Sequence, residues 1–428
     1  MTRPPLAGDG TGAPDTGRPP SLWRNRDFNL VWAGQCLSDL GGAMTDLAVP
    51  LLVLQQTGSP ARAGLVGTTG LAVTMVCRLP AGVLADRFDR RRLMIVSDLV
   101  RLALFTLLAC LLLARSAHLA VIVAVVACSA AATAVFSTAE HAAIRSLVRP
   151  GQLADAVARN EARAYGTSLA GPPLGGLLFG IGRALPFAGN ALSFLLSLAA
   201  VLRVRQPLQQ PRQQGPPSAG ASAAEGVRFV LRHPFLRALL LIAAPLNMAF
   251  TGTVFALTLS LRRAGLPPFL VGLAGTIFAA GGLLGAFAAP VLQRMLRLPV
   301  LLTVLCWTTA ALMAVSALLS TTILAAVPLA AAVFLGPTAN AALFGHQAAV
   351  TPDALQGRVV SVILLAAGSA AALAPTLAGA LLGRWSGGTA MLAFTVLVGV
   401  AAVAAGGSRG IRDKPSRQRG CADGPYAL

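Results

Sequence analysis

A chain of 428 residues that is 55% hydrophobic and only 11% charged cannot cover itself with polar groups. Soluble domains carry about 25% charged residues, so this composition, with a mean hydropathy of +0.72, excludes a soluble globular protein and turns the outer surface toward lipid. The net charge of +19 would suggest nucleic acid in a soluble chain, but here the position of the charges decides what they do.

Met1 to Pro20 is rich in Gly, Pro and Thr, shows no cleavable signal pattern, and reads as a disordered cytoplasmic tail. Apolar stretches of about 20 residues then follow one another, each long enough for a ~30 Å bilayer core. Twelve spans are expected, at 28–55, 64–84, 93–114, 118–140, 157–181, 185–203, 236–261, 270–292, 299–319, 322–345, 359–382 and 389–407. Residues 206–233, with a Gln-, Pro-, Ser- and Ala-rich middle, read as a flexible cytoplasmic linker between two six-helix halves, 21–205 and 234–408. Residues 409–428 form a second cytoplasmic tail. The expected fold is an all-α membrane protein of two six-helix pseudo-repeats.

Charge orients these spans. On the side of the N-terminus the connections and tails hold 26 Lys and Arg, against six on the opposite side, with Arg78 and Arg101 inside spans. By the positive-inside rule both termini face the cytoplasm of a multi-pass plasma-membrane protein. The excess basic charge is a topology signal, so no nucleic-acid partner is expected. The cysteines show no metal-ligand spacing, and no metal or cofactor is expected.

The halves carry matching segments. Gly64-Leu-Val-Gly-Thr68 recurs as Gly272-Leu-Ala-Gly-Thr276, and Gly171-Pro-Pro-Leu-Gly-Gly176 as Ala374-Pro-Thr-Leu-Ala-Gly379. Val148-x-Pro150-x-x-Leu153 recurs as Val350-x-Pro352-x-x-Leu355. The order and near-constant offset imply a parallel repeat, and such repeats place a binding site between the halves near the bilayer midplane.

Residues 82–92, Gly-Val-Leu-Ala-Asp-Arg-Phe-Asp-Arg-Arg-Arg, lie between spans two and three. This run resembles the loop signature of the major facilitator superfamily through Gly82, Asp86, Arg87, Arg90, Arg91 and Arg92, with Asp89 standing where a second glycine is usual. Gly171, Pro172, Gly175 and Gly176 are similar to the span-five motif of antiporter members, with Thr167 where a glycine is usual. Leu30-Val-Trp-Ala-Gly-Gln35, the run from Pro50 to Pro60, and Asp98-Leu-Val-Arg101 resemble the exporter branch of enterobactin-exporter-like and macrolide-efflux-like proteins. The resemblance implies a gate that holds the cytoplasmic side closed in one state, and Arg145, at the cytoplasmic end of span four, is the candidate partner for Asp86. It also implies a cavity lined by spans one, four, seven and ten. Under the offset of 208, Gly82 falls on Pro290 and Asp86 on Arg294, so the signature is present in the first half alone.

Intramembrane acids are costly and mark functional sites. Asp39 and Asp46 are seven residues apart on one face of span one, about 10 Å in height, with Gln35 and Gly42 on the same stripe. Both are candidates for carrying a coupling proton. Glu140, expected at the end of span four, is either a further proton site or an ion-pair partner. Asp98 and Arg101 can neutralise each other at i, i+3. Gln35, Asn247, Thr251, Asn340 and His346 are candidate cavity residues. Neither a Gly-x-x-x-x-Gly-Lys-[Ser/Thr] phosphate loop nor a hydrolase motif occurs, so no enzyme is expected. The expected activity is proton-coupled efflux of a small hydrophobic or amphipathic compound by a monomer in the bacterial inner membrane. An uptake permease and a non-transporting membrane receptor are the alternatives.

Overall fold

The computed structural model describes residues 22–209, 219–295, 298–352 and 355–407. The two tails at 1–20 and 409–428 lie outside the described residues, as does the middle of the linker. In the first half, six helices follow in chain order: α1 (Arg26–Thr57), α2 (Pro60–Arg87), α3 (Arg90–Leu113), α4 (Leu119–Leu147), α5 (Leu153–Ile181) and α6 (Leu185–Arg203). The second half comprises α8 (Pro234–Arg263), α9 (Pro268–Met295), α10 (Leu298–Leu318), α11 (Ala326–Phe334), α12 (Gly336–Val350), α13 (Gln356–Arg384) and α14 (Gly387–Gly407). Helix α7 (Ala219–Arg232) lies between the halves.

Among the described residues, ten helices are long and apolar enough to cross a membrane, counting Ile323–Val350 as one. Helix α5, with Pro172, Pro173 and several glycines in its apolar part, is not among them, and the apolar stretch Gly387–Val403 of α14 is shorter than the ten, yet both helices pack among the rest. The expected tenth span is thus one crossing built of two helices, which meet at Leu335–Gly336, just before Pro337.

Local sequence sets the ends. Asn25 caps α1 by accepting from the Phe28 N–H at 3.1 Å, and Gly58 closes it at φ 63°, a conformation glycine takes without strain. Asp89, the departure from the loop signature, caps α3 by accepting from the Arg92 N–H at 2.8 Å. Helix α4 runs past residue 140 to Leu147, so Glu140 lies within it rather than at its end.

The expected flexible linker is in part helical. Its second portion forms α7, which packs against α13 and α8. Val230 is buried there, and Glu225 pairs with Arg358 at 2.5 Å. The Ala-rich composition of this segment favours a helix once tertiary contacts hold one face.

Packing divides the molecule unequally along the membrane normal. The face carrying residues 87–92 is called the basic face below, and its opposite the far face. One apolar core joins both halves toward the far face, running from Leu47–Leu54, Ala63 and Val66 to Ala256–Leu261, Val271 and Ala274. Toward the basic face the core splits in two. One part, with Phe28, Met94, Phe136 and Leu147, belongs to the first half; the other, with Phe235, Leu301, Leu343 and Val359, belongs to the second. The halves are joined on the far side and separate on the basic side.

Candidate functional site

The face of α1 predicted from sequence sorts into three environments. Gln35 is buried and donates to the Ser197 hydroxyl at 3.4 Å, inside the first half. It therefore lines no cavity, contrary to expectation, because α6 packs directly over that part of α1. Asp39 stands 3.0 Å from the Arg163 guanidinium of α5, with 38% of its side chain still exposed. Asp46 is exposed and, among the described residues, no hydrogen bond or ion pair engages it. Between the two acids, Gly42 has open space where a Cβ would stand.

Arg163 holds a second acid. Its guanidinium donates to Glu140 of α4 at 2.8 Å, and the Arg163 and Glu140 side chains are 8% and 4% exposed. One arginine thus serves two carboxylates from two helices. Sequence reasoning counted Arg163 among the basic connections, although it lies inside the expected fifth span; an arginine within a span was the signal that could have found it. The arrangement has one carboxylate in excess. Glu140 is enclosed, whereas Asp39 stays partly exposed beside the same arginine.

A second buried pair is structural. Arg101 donates to Asp98 at 2.5 Å, as the i, i+3 spacing predicts, and Asp98 also accepts from Ser197 at 2.8 Å. The Arg101 guanidinium lies 4.5 Å from the Phe136 ring centre and 4.4 Å from that of Phe194. This brace ties α3 to α4 and α6 and is closed to water on every side.

The repeated segments meet one another across the far side. A Cβ on Gly64 of α2 would strike the Pro375 carbonyl of α13, and one on Gly379 of α13 would strike the Pro60 carbonyl. The second pair of helices copies this: Gly272 of α9 lies against the Pro172 carbonyl of α5, and Gly176 of α5 against the Pro268 carbonyl. Thr68 accepts from the Thr376 N–H at 3.0 Å, and the Thr276 hydroxyl donates to the Leu169 carbonyl at 2.7 Å. Each half's Gly-Leu-x-Gly-Thr segment therefore fits the other half's Pro-x-Leu-x-Gly segment, giving two related seals. Gly171 and Gly175 use the same property differently, bringing α5 onto Ala43 and Met44 of α1. Close approach of this kind needs glycine, because a Cβ at any of these positions meets the facing helix, its backbone at Gly64, Gly175, Gly176, Gly272 and Gly379 and the Ala43 side chain at Gly171.

The seal does not reach the basic face. Met75 of α2 touches Gly368 of α13; beyond it Gly82, Gly166, Gly345 and Gly357 all have open space. Gly82 therefore makes no close helix approach here, contrary to the expected gate contact. Asp86 and Arg87 are exposed, and among the described residues no ion pair holds Asp86. The side chain of its expected partner, Arg145, lies outside the described residues. Arg90 and Arg91 are engaged within the first half. Arg90 donates to the carbonyls of Ala142 at 3.1 Å and Leu208 at 3.3 Å, and Arg91 to that of Leu202 at 2.7 Å. Asp27 completes this strap by accepting from the Arg205 and Gln206 N–H groups at 3.1 and 2.8 Å. Arg92 contributes its N–H to the Asp89 cap.

The second-half candidates are less uniform. Asn247 and Asn340 are exposed and Thr251 is half-buried. The Asn247 amide donates to the Ala243 carbonyl one turn earlier at 2.9 Å. His346 packs edge-on against Phe235 with ring centres 4.3 Å apart, a contact within its own half. His233, just before α8, lies near it. Burial, and then the neighbouring His346, hold the His233 imidazole below the ordinary histidine pKa.

Comparison with known proteins agrees with this architecture. The Major Facilitator Superfamily profile matches residues 31–346. The multidrug efflux pump Tap of Mycolicibacterium fortuitum is 32% identical over 367 residues, which cover 82% of this chain and 88% of Tap. YfiS of Bacillus subtilis, described as an uncharacterized MFS-type transporter, is 28% identical over 277 residues; the match covers 62% of this chain and spans 64% of the length of YfiS. Among solved structures, a bacterial homologue of the human lysosomal transporter Spinster, in an inward-facing and unoccupied conformation, superposes with a TM-score of 0.71 at 15% identity, over 91% of this chain and 98% of that one. With two six-helix halves, repeated segments that seal against each other and a profile match over most of its length, the chain belongs to the major facilitator superfamily, a family of membrane transporters and not of enzymes.

Proposed function

We propose that this protein exports a small hydrophobic or amphipathic organic compound from a bacterial cell in exchange for protons. Its basic face lies in the cytoplasm, by the 26-to-six distribution of Lys and Arg. The described conformation is then open to the cytoplasm and sealed toward the outside. The observation that carries the reading is the Asp39–Arg163–Glu140 cluster, in which a water-accessible acid shares its arginine with an enclosed one. The named activity of Tap, multidrug efflux, supports the direction of transport.

The cycle follows from the geometry. In the inward-open state Asp39 is ionised and held by Arg163, and cargo enters from the cytoplasm. The halves rock, the two glycine seals part, and cargo leaves. A proton from outside then neutralises Asp39 and loosens its hold on α5. Helix α5 carries both Arg163 and the Pro172–Gly272 contact, so a change at the acid reaches the seal along one rigid element. Return to the inward-open state delivers the proton to the cytoplasm.

The test uses everted membrane vesicles containing the protein. An acid interior should drive accumulation of the dye Hoechst 33342, and a protonophore should abolish it. Accumulation that ignores the proton gradient, or that runs the other way, contradicts the reading.

A further inference from the structure

We infer that a cavity on the far face, between the ends of α5 and α8, binds a small oxyanion through one arginine of each half, Arg183 and Arg262, and that the bound anion clamps the far side shut. The ligand's chemistry is that of a phosphate, either free or on a lipid headgroup. The inference goes beyond the export reading and depends on neither the direction of transport nor the coupling ion. It stands on the charge of the far face, on the cavity's lining and on the cavity's place beside a seal.

The far face carries cations with no acid to meet them. Its arginines are Arg62, Arg115, Arg183, Arg262, Arg263 and Arg384. The sequence holds no Asp or Glu from Leu47 to Ala85, from Leu99 to Ala139, from Ala162 to Ala224, from Gly226 to Pro352 or from Ala354 to Arg412. Every far-face connection falls inside one of these stretches. On α1, the acid that comes nearest to that face is Asp46, about 13 Å of helix below Gln55.

Two of these arginines come together. A cavity of about 340 Å³ is lined by Gln55, Gly180 and Arg183 of the first half and by Arg262 and Pro268 of the second. This is the small end of the ~300–1,000 Å³ range of ligand sites, and it suits a small ion better than a large organic molecule. Arg262 is half-buried and donates to the Leu266 carbonyl at 3.1 Å, which holds it on the α8–α9 turn and uses one of the guanidinium's several donors. Arg183 is exposed, and among the described residues no hydrogen bond or ion pair engages it. Two like charges on one cavity repel. An anion between them turns that repulsion into charge-assisted hydrogen bonds, and the planar fork of a guanidinium matches phosphate oxygens.

The cavity also spans the halves beside a seal. Gly176 of α5 packs against the Pro268 carbonyl, and Pro268 itself lines the cavity. Arg183 stands in the turn just after α5, and Arg262 in the last turn of α8. When the halves rock, α5 and α9 part, and the two arginines separate with them. An anion that needs both arginines therefore binds only the sealed state. At about 100 times its Kd, such a ligand raises the ratio of sealed to open protein about 100-fold. The far side is then held by two devices. The glycine contacts fix its shape, and the anion sets how much of the protein is shut.

The test is calorimetric titration of the delipidated full-length protein in non-ionic detergent. Sodium phosphate is traded against sodium chloride at constant ionic strength, so that screening stays fixed. The wild type should bind phosphate, and Arg183→Gln and Arg262→Gln should each weaken binding about tenfold or more. Arg115→Asn, on the same face but outside the cavity lining, should leave binding unchanged. A second arm replaces phosphate with dihexanoyl phosphatidylglycerol. Binding of this lipid without binding of free phosphate, lost in the same two variants, assigns the site to a headgroup; binding of phosphate assigns it to the free ion. The site is overturned if neither ligand binds, or if binding survives undiminished in folded Arg183→Gln and Arg262→Gln proteins. Energy transfer between dyes at positions 62 and 384 reads the clamp. Saturating ligand should shorten that distance in the wild type. Arg183→Glu, which places an acid opposite Arg262, should give the short distance without ligand and show no further response. An unchanged distance in the saturated wild type overturns the clamp.

Discussion

Replacing Gly272 with valine should open the far side of the protein. The new side chain would strike the Pro172 carbonyl, which belongs to backbone and cannot swing aside. Overpacking of this kind costs typically about 1–3 kcal/mol. The cost falls only on the sealed state, because the two helices part when the halves rock. An energy of that size shifts the balance between states by about fivefold to about 150-fold. Gly64→Val, which strikes Pro375 in the related seal, should act in the same direction and roughly add to it. Energy transfer between dyes at positions 62 and 384, the far ends of α2 and α13, should report a longer distance in both variants. Gly399→Val serves as a control, since open space surrounds that residue. An unchanged distance in Gly272→Val and Gly64→Val would show that these contacts do not hold the outside shut.

Removing Arg163 should be the most damaging single change to the first half. In Arg163→Ala, Glu140 is left enclosed without a cation and Asp39 loses its only ion-pair partner among the described residues. Breaking a buried ion pair by deleting one member typically costs about 3–5 kcal/mol, more than the pair's net worth. A thermal melt in detergent should show the loss. Adding Glu140→Gln to Arg163→Ala should recover much of it, since the enclosed charge is then gone. Transport should stay abolished in the double variant, because the acid–arginine link between α1 and α5 is missing. A double variant no more stable than the single one would mean that Arg163 acts by packing alone.

How far the sequence reached depends on which physical signal was involved. Apolar length marked the crossings, because a lipid solvent requires about 20 apolar residues whatever the neighbours are. It missed the break at Leu335–Gly336, which leaves that length unchanged. The repeated Gly-Leu-x-Gly-Thr and Pro-x-Leu-x-Gly segments were visible as repeats. That they close on each other was not, since one helix's pattern does not say which helix it meets. The acids on α1 stood out for their cost. Their different fates depended on partners far away in sequence, Arg163 for Asp39 and, among the described residues, none for Asp46. Gln35 looked like a cavity residue because it is polar within a span; Ser197, 162 positions later, satisfies it instead. Asp89 broke the loop signature, yet as a helix cap it fits the rule that a short acid satisfies the first free N–H groups. Helix α7 was hidden by a composition that also suits a flexible chain.

The central claim is that Asp39 exchanges the proton that drives export. It separates two activities that an ordinary loss of function would remove together. Proteoliposomes containing Asp39→Asn should still exchange labelled ethidium for unlabelled ethidium across the membrane, because exchange needs only the rocking of the loaded protein. The same vesicles should fail to accumulate ethidium against a gradient when the lumen is made acidic, with the loss about 100-fold or more relative to the wild type. Accumulation at the wild-type level by Asp39→Asn would contradict the account.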